Sequence, residues 1–138
     1  MFSTGKISHN LAIFRNNLAG AWDEVFSWSF SRWGVAVALG LNLLNWLASF
    51  FLYRSLGDEL TVLHYNVDFG IDLIGHRIQL FINPALGLSL IILNLVMLLF
   101  FARQKHFKFV SYLLWSTAIL ANLFLLLGVL AVYLINFR

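Results

Sequence analysis

The chain contains no cysteine among its 138 residues. It can therefore form neither a disulfide bond nor a thiolate metal site, and the composition favours no redox compartment. Charge is also scarce, because Asp, Glu, Lys and Arg make up 11% of the residues while hydrophobic residues make up 61%. A soluble domain typically has about 25% charged residues. The composition therefore excludes a typical soluble domain and favours a membrane protein.

The few charges are absent from the interior of three long apolar segments. These candidate spans cover residues 34–53, 81–102 and 109–135. Each is long enough as a helix to cross the ~30 Å hydrocarbon core of a bilayer, which takes about 20 residues. Together they take up about half of the chain, so no room remains for a separate soluble catalytic domain. We therefore predict an all-α fold over residues 1–138, a single membrane domain with three transmembrane helices and a short ordered external loop over residues 54–80.

The segment before the first span, residues 7–30, has an amphipathic pattern. Its apolar residues recur at steps of three and four and fall on one helical face: Ile7, Leu11, Phe14, Leu18, Trp22 and Val25. We predict an amphipathic helix that lies in the cytoplasmic interface of the membrane. The alternative is that the same face packs on another subunit or on the bundle. Gly34 is expected to permit the bend from this helix into the first span.

Basic residues are concentrated on one side of the predicted spans. Six of them precede the first span or lie in the connection between the second and the third: Lys6, Arg15, Arg32, Arg103, Lys105 and Lys108. Lys and Arg near short loops resist translocation. We therefore place the N-terminus in the cytoplasm and the 54–80 loop and the C-terminus outside, with the bacterial plasma (inner) membrane as the simplest location. The net charge of +3 then marks membrane flanks, and the expected partner is the lipid bilayer rather than nucleic acid.

The predicted spans contain amides and hydroxyls but no acidic or basic side chain. Transporters coupled to protons or ions usually place an ionisable group near the midplane, so this absence argues against such a machine. The candidate polar contacts between helices are Asn42, Asn45, Asn94 and Asn122. Asn45 and Asn94 are expected to pair, because they lie at similar depth. The alternative is an oligomeric transporter or pore, in which the amides would point toward a shared axis instead of toward each other.

The loop between the first two spans combines strand-like and turn-like residues. Residues 60–67 are rich in β-branched and aromatic side chains, which predicts an extended segment. Gly70 ends a predicted turn over residues 68–70, where it would adopt a positive φ, and a second short extended or helical piece follows. The apolar residues of the loop are expected to cap the outer ends of the helices: Val62, Leu63, Phe69, Ile71, Leu73 and Ile74.

The polar residues of the loop suggest two kinds of arrangement. Four of them recur at intervals of four residues: His64, Asp68, Asp72 and His76. On a helix they would share one face, where imidazole and carboxylate groups suit a metal ion. Gly70 and the β-branched residues oppose a continuous helix, so we predict neither a metal site nor a cofactor. The favoured arrangement is a hydrogen-bonded cluster of His64, Asn66 and Asp72 that shapes the loop.

Catalysis by His64 with a neighbouring acid is a further hypothesis. No serine or cysteine accompanies it in the loop core, residues 61–75, so we predict no enzyme. A lipid-modifying enzyme that acts at the interface would require a cleft beside His64 and Asp72 that opens to the outer headgroups.

The order of residues in this loop is His64-Tyr65-Asn66, then Gly70, then Asp72. It resembles the external loop of SdpI-like and related small bacterial membrane proteins, which joins their first two spans and has the form His-aromatic-Asn, Gly, Asp. The resemblance implies a non-enzymatic membrane protein of an immunity, signalling or accessory type. We therefore predict a loop that recognises or docks a ligand or a protein partner, including a second copy of the chain. The loop residues assigned to this role are His64, Tyr65, Asn66, Asp68, Gly70 and Asp72.

Overall fold

In the computed structural model, the described residues are 4–57, 60–66, 68 and 70–137, with the side chains of residues 4–8, 65, 66 and 72 outside the description. Within these residues the chain forms four α-helices, a β-hairpin and a short 3-10 helix. In chain order the elements are α1 (Thr4–Ser27), α2 (Ser29–Ser55), β1 (Thr61–Asn66), β2 (Gly70–Gly75), the 3-10 helix (Arg77–Phe81), α3 (Ile82–Phe101) and α4 (Phe107–Phe137).

Three of the helical segments are long and apolar enough to cross a membrane. They are α2, the 3-10 helix together with α3, and α4, and their most apolar windows have mean hydropathies of 1.8, 2.4 and 2.6. Only 28%, 28% and 22% of these windows is buried inside the chain, so most of their apolar side chains face outward. The prediction of a mainly helical protein with three apolar spans is confirmed, although the described residues also form a β-hairpin. The chain is accordingly a candidate multi-pass membrane protein.

The change of direction between α1 and α2 lies at Trp28. Its backbone is extended, with a φ of −84° and a ψ of 124°, and it separates Ser27 from Ser29. The prediction that Gly34 permits this bend is therefore wrong. Gly34 lies inside α2, where the missing side chain allows Trp115 of α4 to approach closely. A Cβ at Gly34 would lie 2.6 Å from Cγ of that tryptophan.

Trp115 lies in the larger of two buried clusters. Its side chain is fully buried, and its indole N–H donates a hydrogen bond to Oγ of Ser31 at 2.9 Å. Val25 of α1 belongs to the same cluster and is also fully buried, so the last turns of α1 pack on the bundle. In the first half of α1, by contrast, Leu11 and Phe14 are 62% and 66% exposed. Among the described side chains of α1, those buried against the three long helices therefore lie in its last turns.

The second cluster lies at the end of the bundle that carries the hairpin. Its buried members are Leu52 of α2, Leu80 of the 3-10 helix, and Val129 and Val132 of α4. Leu63 of β1 packs against them. This cluster therefore joins two long helices, the 3-10 helix and the hairpin around one set of apolar side chains.

The contact between Gly34 and Trp115 predicts that Gly34→Ala destabilises the fold. The added Cβ would overlap the Cβ, Cγ and Cδ1 atoms of the tryptophan, and overpacking of this kind costs about 1–3 kcal/mol. Gly40→Ala is the matched control, because open space surrounds Gly40 in the same helix. We expect the control to gain up to about 1 kcal/mol from helix propensity. Equilibrium unfolding in lipid bicelles measures both variants, and equal stability would contradict this account of the packing.

Candidate functional site

The loop between α2 and the 3-10 helix folds as an antiparallel β-hairpin. The β-branched and aromatic residues of β1 favour the extended backbone, and Gly70 starts β2 with a φ of +80°. The strands pair from Thr61 opposite Gly75 to Asn66 opposite Gly70, with irregular register around His64. The predicted extended segment and the positive φ of Gly70 are confirmed.

The hairpin is attached to α4 by the side-chain amide of Asn136. This amide donates from Nδ2 to the carbonyl oxygen of Val62 at 2.8 Å, and its Oδ1 accepts from the N–H of Val62 at 3.2 Å. One side chain thus satisfies both backbone groups of Val62, as a neighbouring strand would. Nδ2 also donates to the carbonyl oxygen of Val132 at 2.8 Å, which holds the amide against its own helix.

A second attachment lies at the same end of the hairpin, where the chain that leaves β2 bonds to the end of α2. The guanidinium of Arg77, two residues after β2, donates to the carbonyl oxygen of Leu56 at 2.9 Å. It also lies over the ring of Tyr53, with 4.6 Å between Cζ and the ring centroid. With Leu63 packed on the second cluster, these contacts hold the hairpin on the bundle at the end opposite its turn.

The other strand, β2, presents apolar side chains on its surface. Ile71, Leu73 and Ile74 are 52%, 51% and 53% exposed. The prediction that these three residues cap the helix ends is therefore wrong, because β1 is the strand that lies against α4. Phe69, which was assigned the same role, lies outside the described residues.

The predicted recognition residues are distributed over the hairpin. His64 lies in β1 opposite Leu73 and is exposed, and Asp68 is exposed in the turn. The side chains of Tyr65, Asn66 and Asp72 lie outside the described part of the chain, so the cluster of His64, Asn66 and Asp72 stays a prediction. The continuous helix required by the metal hypothesis does not form, because His64 and Asp72 lie in strands, Asp68 lies in a turn, and His76 precedes the 3-10 helix. Among the described residues, no three His, Asp or Glu side chains come together at one point.

The polar contacts inside the bundle converge on Asn122 of α4. Asn42 of α2 donates to Oδ1 of Asn122 at 3.0 Å and to the carbonyl oxygen of Pro84 at 2.9 Å. Asn122 in turn donates to the carbonyl oxygens of Gly87 at 3.4 Å and Ala118 at 2.9 Å. One group of amides therefore connects α2, α3 and α4, and its side chains are buried.

Gly87 of α3 makes this convergence possible. A Cβ at that position would collide with Oδ1 of Asn122 and would lie 2.7 Å from Nδ2 of Asn42. Pro84 lacks an N–H at no cost, because N–H groups in the first turn of α3 have no acceptor within the helix, and its carbonyl oxygen accepts from Asn42. The backbone of the first turns of α3 is thus a direct partner of the amides.

The prediction that Asn45 and Asn94 pair with each other is wrong. Asn45 donates to the carbonyl oxygen of Asn122 at 2.9 Å, whereas Asn94 donates to that of Leu114 at 2.8 Å. The two residues therefore lie at different levels along α4, separated by about two helical turns. Both connect their helices to α4 by bonding its backbone.

Two contacts at the hairpin end of the bundle were not predicted from the sequence. The hydroxyl of Ser49 donates to the carbonyl oxygen of Leu80 at 3.2 Å, and Asn136 holds β1 as described above. The only available signal for Asn136 is a lone amide near the end of the third apolar segment. That signal does not specify a backbone partner more than seventy residues away in sequence.

Two apolar cavities lie apart from the polar side chains of the hairpin. One of about 310 Å³ lies between α1 and α3, and one of about 220 Å³ lies between α2 and α4. Neither is lined by His64 or Asp68. No protein-family model, curated protein or solved structure matches this chain.

The amide network predicts that Asn122→Ala destabilises the bundle. The substitution removes the side-chain acceptor of Asn42 and two donated bonds, and lost buried hydrogen bonds cost about 1–3 kcal/mol. Ser89→Ala is the control, since its exposed hydroxyl donates to the carbonyl oxygen of Ala85 in its own helix. Unfolding of both variants in the same bicelles should show a loss for Asn122→Ala alone. An Asn122→Ala variant as stable to unfolding as the unsubstituted chain would contradict a stabilising role for the network.

Proposed function

We propose that this chain is a non-enzymatic membrane protein whose β-hairpin docks a protein partner on the outer face of the membrane. The observation that carries the proposal is the combination of a fixed hairpin with an exposed apolar strand. Asn136, Arg77 and Leu63 hold the hairpin on the bundle, while Ile71 and Leu73 of β2 remain more than half exposed. A preorganised apolar surface loses little conformational freedom on binding, which favours recognition of a partner.

The proposed orientation has the hairpin outside and both α1 and the connection between α3 and α4 inside. Support comes from the basic residues of that connection, Arg103, Lys105 and Lys108, which favour retention in the cytoplasm. The exposed apolar residues of α1, Leu11 and Phe14, support its placement in the inner membrane interface. The bacterial plasma membrane is the proposed location.

The resemblance of the loop to that of SdpI-like proteins supports an immunity, signalling or accessory role. In this proposal, His64 and Asp68 supply polar contacts beside the apolar strand, since both are exposed. The partner is a protein of the outer face. A second copy of this chain is one form that such a partner could take.

The two alternative functions receive less support from the geometry. A pore lined by amides is disfavoured, because Asn42, Asn45 and Asn122 bond to each other and to helix carbonyls within one protomer. A lipid-modifying enzyme would need a cleft beside His64. The two cavities described above lie elsewhere and have apolar linings.

Single-cysteine labelling tests the orientation on a background that has no native cysteine. Asp68→Cys lies in the exposed turn, and Lys105→Cys lies in the exposed connection between α3 and α4. In intact cells, a membrane-impermeant maleimide should label Asp68→Cys alone, and permeabilisation should allow labelling of Lys105→Cys. The reverse pattern would contradict the orientation and the proposed outer docking surface.

Photocrosslinking tests the docking surface itself. We expect a photoreactive benzoylphenylalanine at Leu73 to give a protein adduct of discrete mass in living cells, and the same probe at lipid-facing Phe124 to give none. The charge in Ile71→Lys should abolish the adduct, because a partner would have to desolvate it.

The labelling pattern of Asp68→Cys, repeated in the Ile71→Lys background, shows whether the hairpin still reaches the outer face. Adducts to lipid alone at Leu73, or a protein adduct that survives Ile71→Lys, would rule out the proposed surface.

A further inference from the structure

A groove between α1 and α3 lies at the opposite end of the molecule from the hairpin. We name it the inner groove and define it by its lining residues, Phe14, Asn17, Leu18, Ala21, Val96, Leu99 and Phe100. Its volume of about 310 Å³ is at the small end of the range for ligand pockets, which is ~300–1,000 Å³. The volume suits part of a chain-like ligand rather than a bulky one.

The inner groove is apolar and open to the outside of the molecule. Apart from Asn17, its lining consists of aliphatic and aromatic side chains. Phe14, Leu18 and Phe100 are 66%, 44% and 79% exposed, so a ligand can reach the groove from the side. An apolar groove of this shape favours a hydrocarbon chain over water, because water would find almost no hydrogen-bond partner there.

Arg103 lies beside the polar residue of the groove. One guanidinium nitrogen donates to Oδ1 of Asn17 at 3.2 Å, and the other lies 3.4 Å from the backbone oxygen of the same residue. Both acceptors are neutral. Within the described part of the chain, neither Asp23 nor Glu24 of α1 forms an ion pair with Arg103. The guanidinium charge therefore has no carboxylate partner among these residues.

The turn that carries Arg103 adds further positive charge. Lys105 is exposed two residues later, and Lys108 is exposed in the first turn of α4. The segment from Arg103 to Lys108 contains no acidic residue. Guanidinium groups bind phosphate with several donors, and additional lysines near a membrane surface increase the attraction for anionic headgroups.

We propose that the inner groove holds one acyl chain of an anionic phospholipid of the inner leaflet, with the lipid phosphate at Arg103. The apolar lining takes the chain, and the uncompensated guanidinium takes the charge. The lipid would fill the gap between α1 and α3 that the protein leaves open. The proposed orientation determines only which leaflet supplies the lipid, so binding in micelles tests the site independently of the outer docking function.

Native mass spectrometry of the purified chain measures this binding. The probes are palmitoyl-oleoyl phosphatidylglycerol, which is anionic, and palmitoyl-oleoyl phosphatidylcholine, which has the same chains and no net charge. We expect the anionic lipid to bind about fivefold more tightly, the ratio that corresponds to ~1 kcal/mol for one basic residue at a membrane surface. Equal binding of the two lipids would overturn the proposal.

Substitutions at Arg103 separate the charge from the bonds to Asn17. Arg103→Gln should bring the ratio close to one, whereas Arg103→Lys, which keeps the charge, should retain most of the preference. Arg54→Gln is the control, because Arg54 is an exposed cation at the hairpin end and lies over the ring of Phe50. An unchanged ratio in Arg103→Gln, or an equal loss in Arg103→Lys, would overturn the assignment of the phosphate to Arg103.

Two further measurements test the acyl chain. Val96→Trp should fill the inner groove and reduce binding of the anionic lipid severalfold, while Leu43→Trp, on an exposed face of α2, should leave it unchanged. Glycerol 1-phosphate, a headgroup without chains, should not displace the lipid. Displacement by this probe, or normal binding to Val96→Trp, would show a soluble phosphate site or a different chain site and would contradict the proposal.

Discussion

The buried amide of Asn122 is the interaction on which the arrangement of the three long helices depends. It accepts from Asn42, donates toward α3, and its backbone oxygen accepts from Asn45. Burial of apolar side chains alone gives the helices little preference for one another in lipid, because the lipid tails are equally apolar. Directional bonds and close packing at Gly87 supply the specificity instead. The lipid-facing sides of the helices are then free to be uniformly apolar.

The same helix fixes the hairpin. Asn136 follows Asn122 by about four helical turns and therefore lies on a similar side of α4. One residue orients α4 within the bundle, and the other presents an amide to β1. Rotation of α4 would thus disturb both the contacts between the spans and the hydrogen bonds that attach the hairpin to α4. This shared dependence links the buried polar contacts to the surface that we propose for docking.

The sequence predicted those features that depend on length, composition and local backbone preference. The length of the apolar segments and their lack of charged residues predicted the three spans, and Gly70 predicted the turn with a positive φ. The prediction failed where rotation of helices decides the contact. Gly34 marks a close approach of Trp115 rather than a bend, since glycine serves either purpose. The predicted pairing of Asn45 with Asn94 is wrong for a similar reason. The predicted ends of two spans do not determine how far one helix is shifted along its axis relative to the other.

Exchange of the side-chain amide protons of Asn122 with water, measured by nuclear magnetic resonance in lipid bilayers, tests the central claim most directly. A variant without this asparagine assigns the signal, and exposed Asn16 of α1 provides the reference. A buried amide that bonds helix carbonyls should exchange much more slowly than the reference. Exchange as fast as that of Asn16 would mean that water reaches the amide, as in a polar pathway, and would contradict its role as a structural contact between the helices.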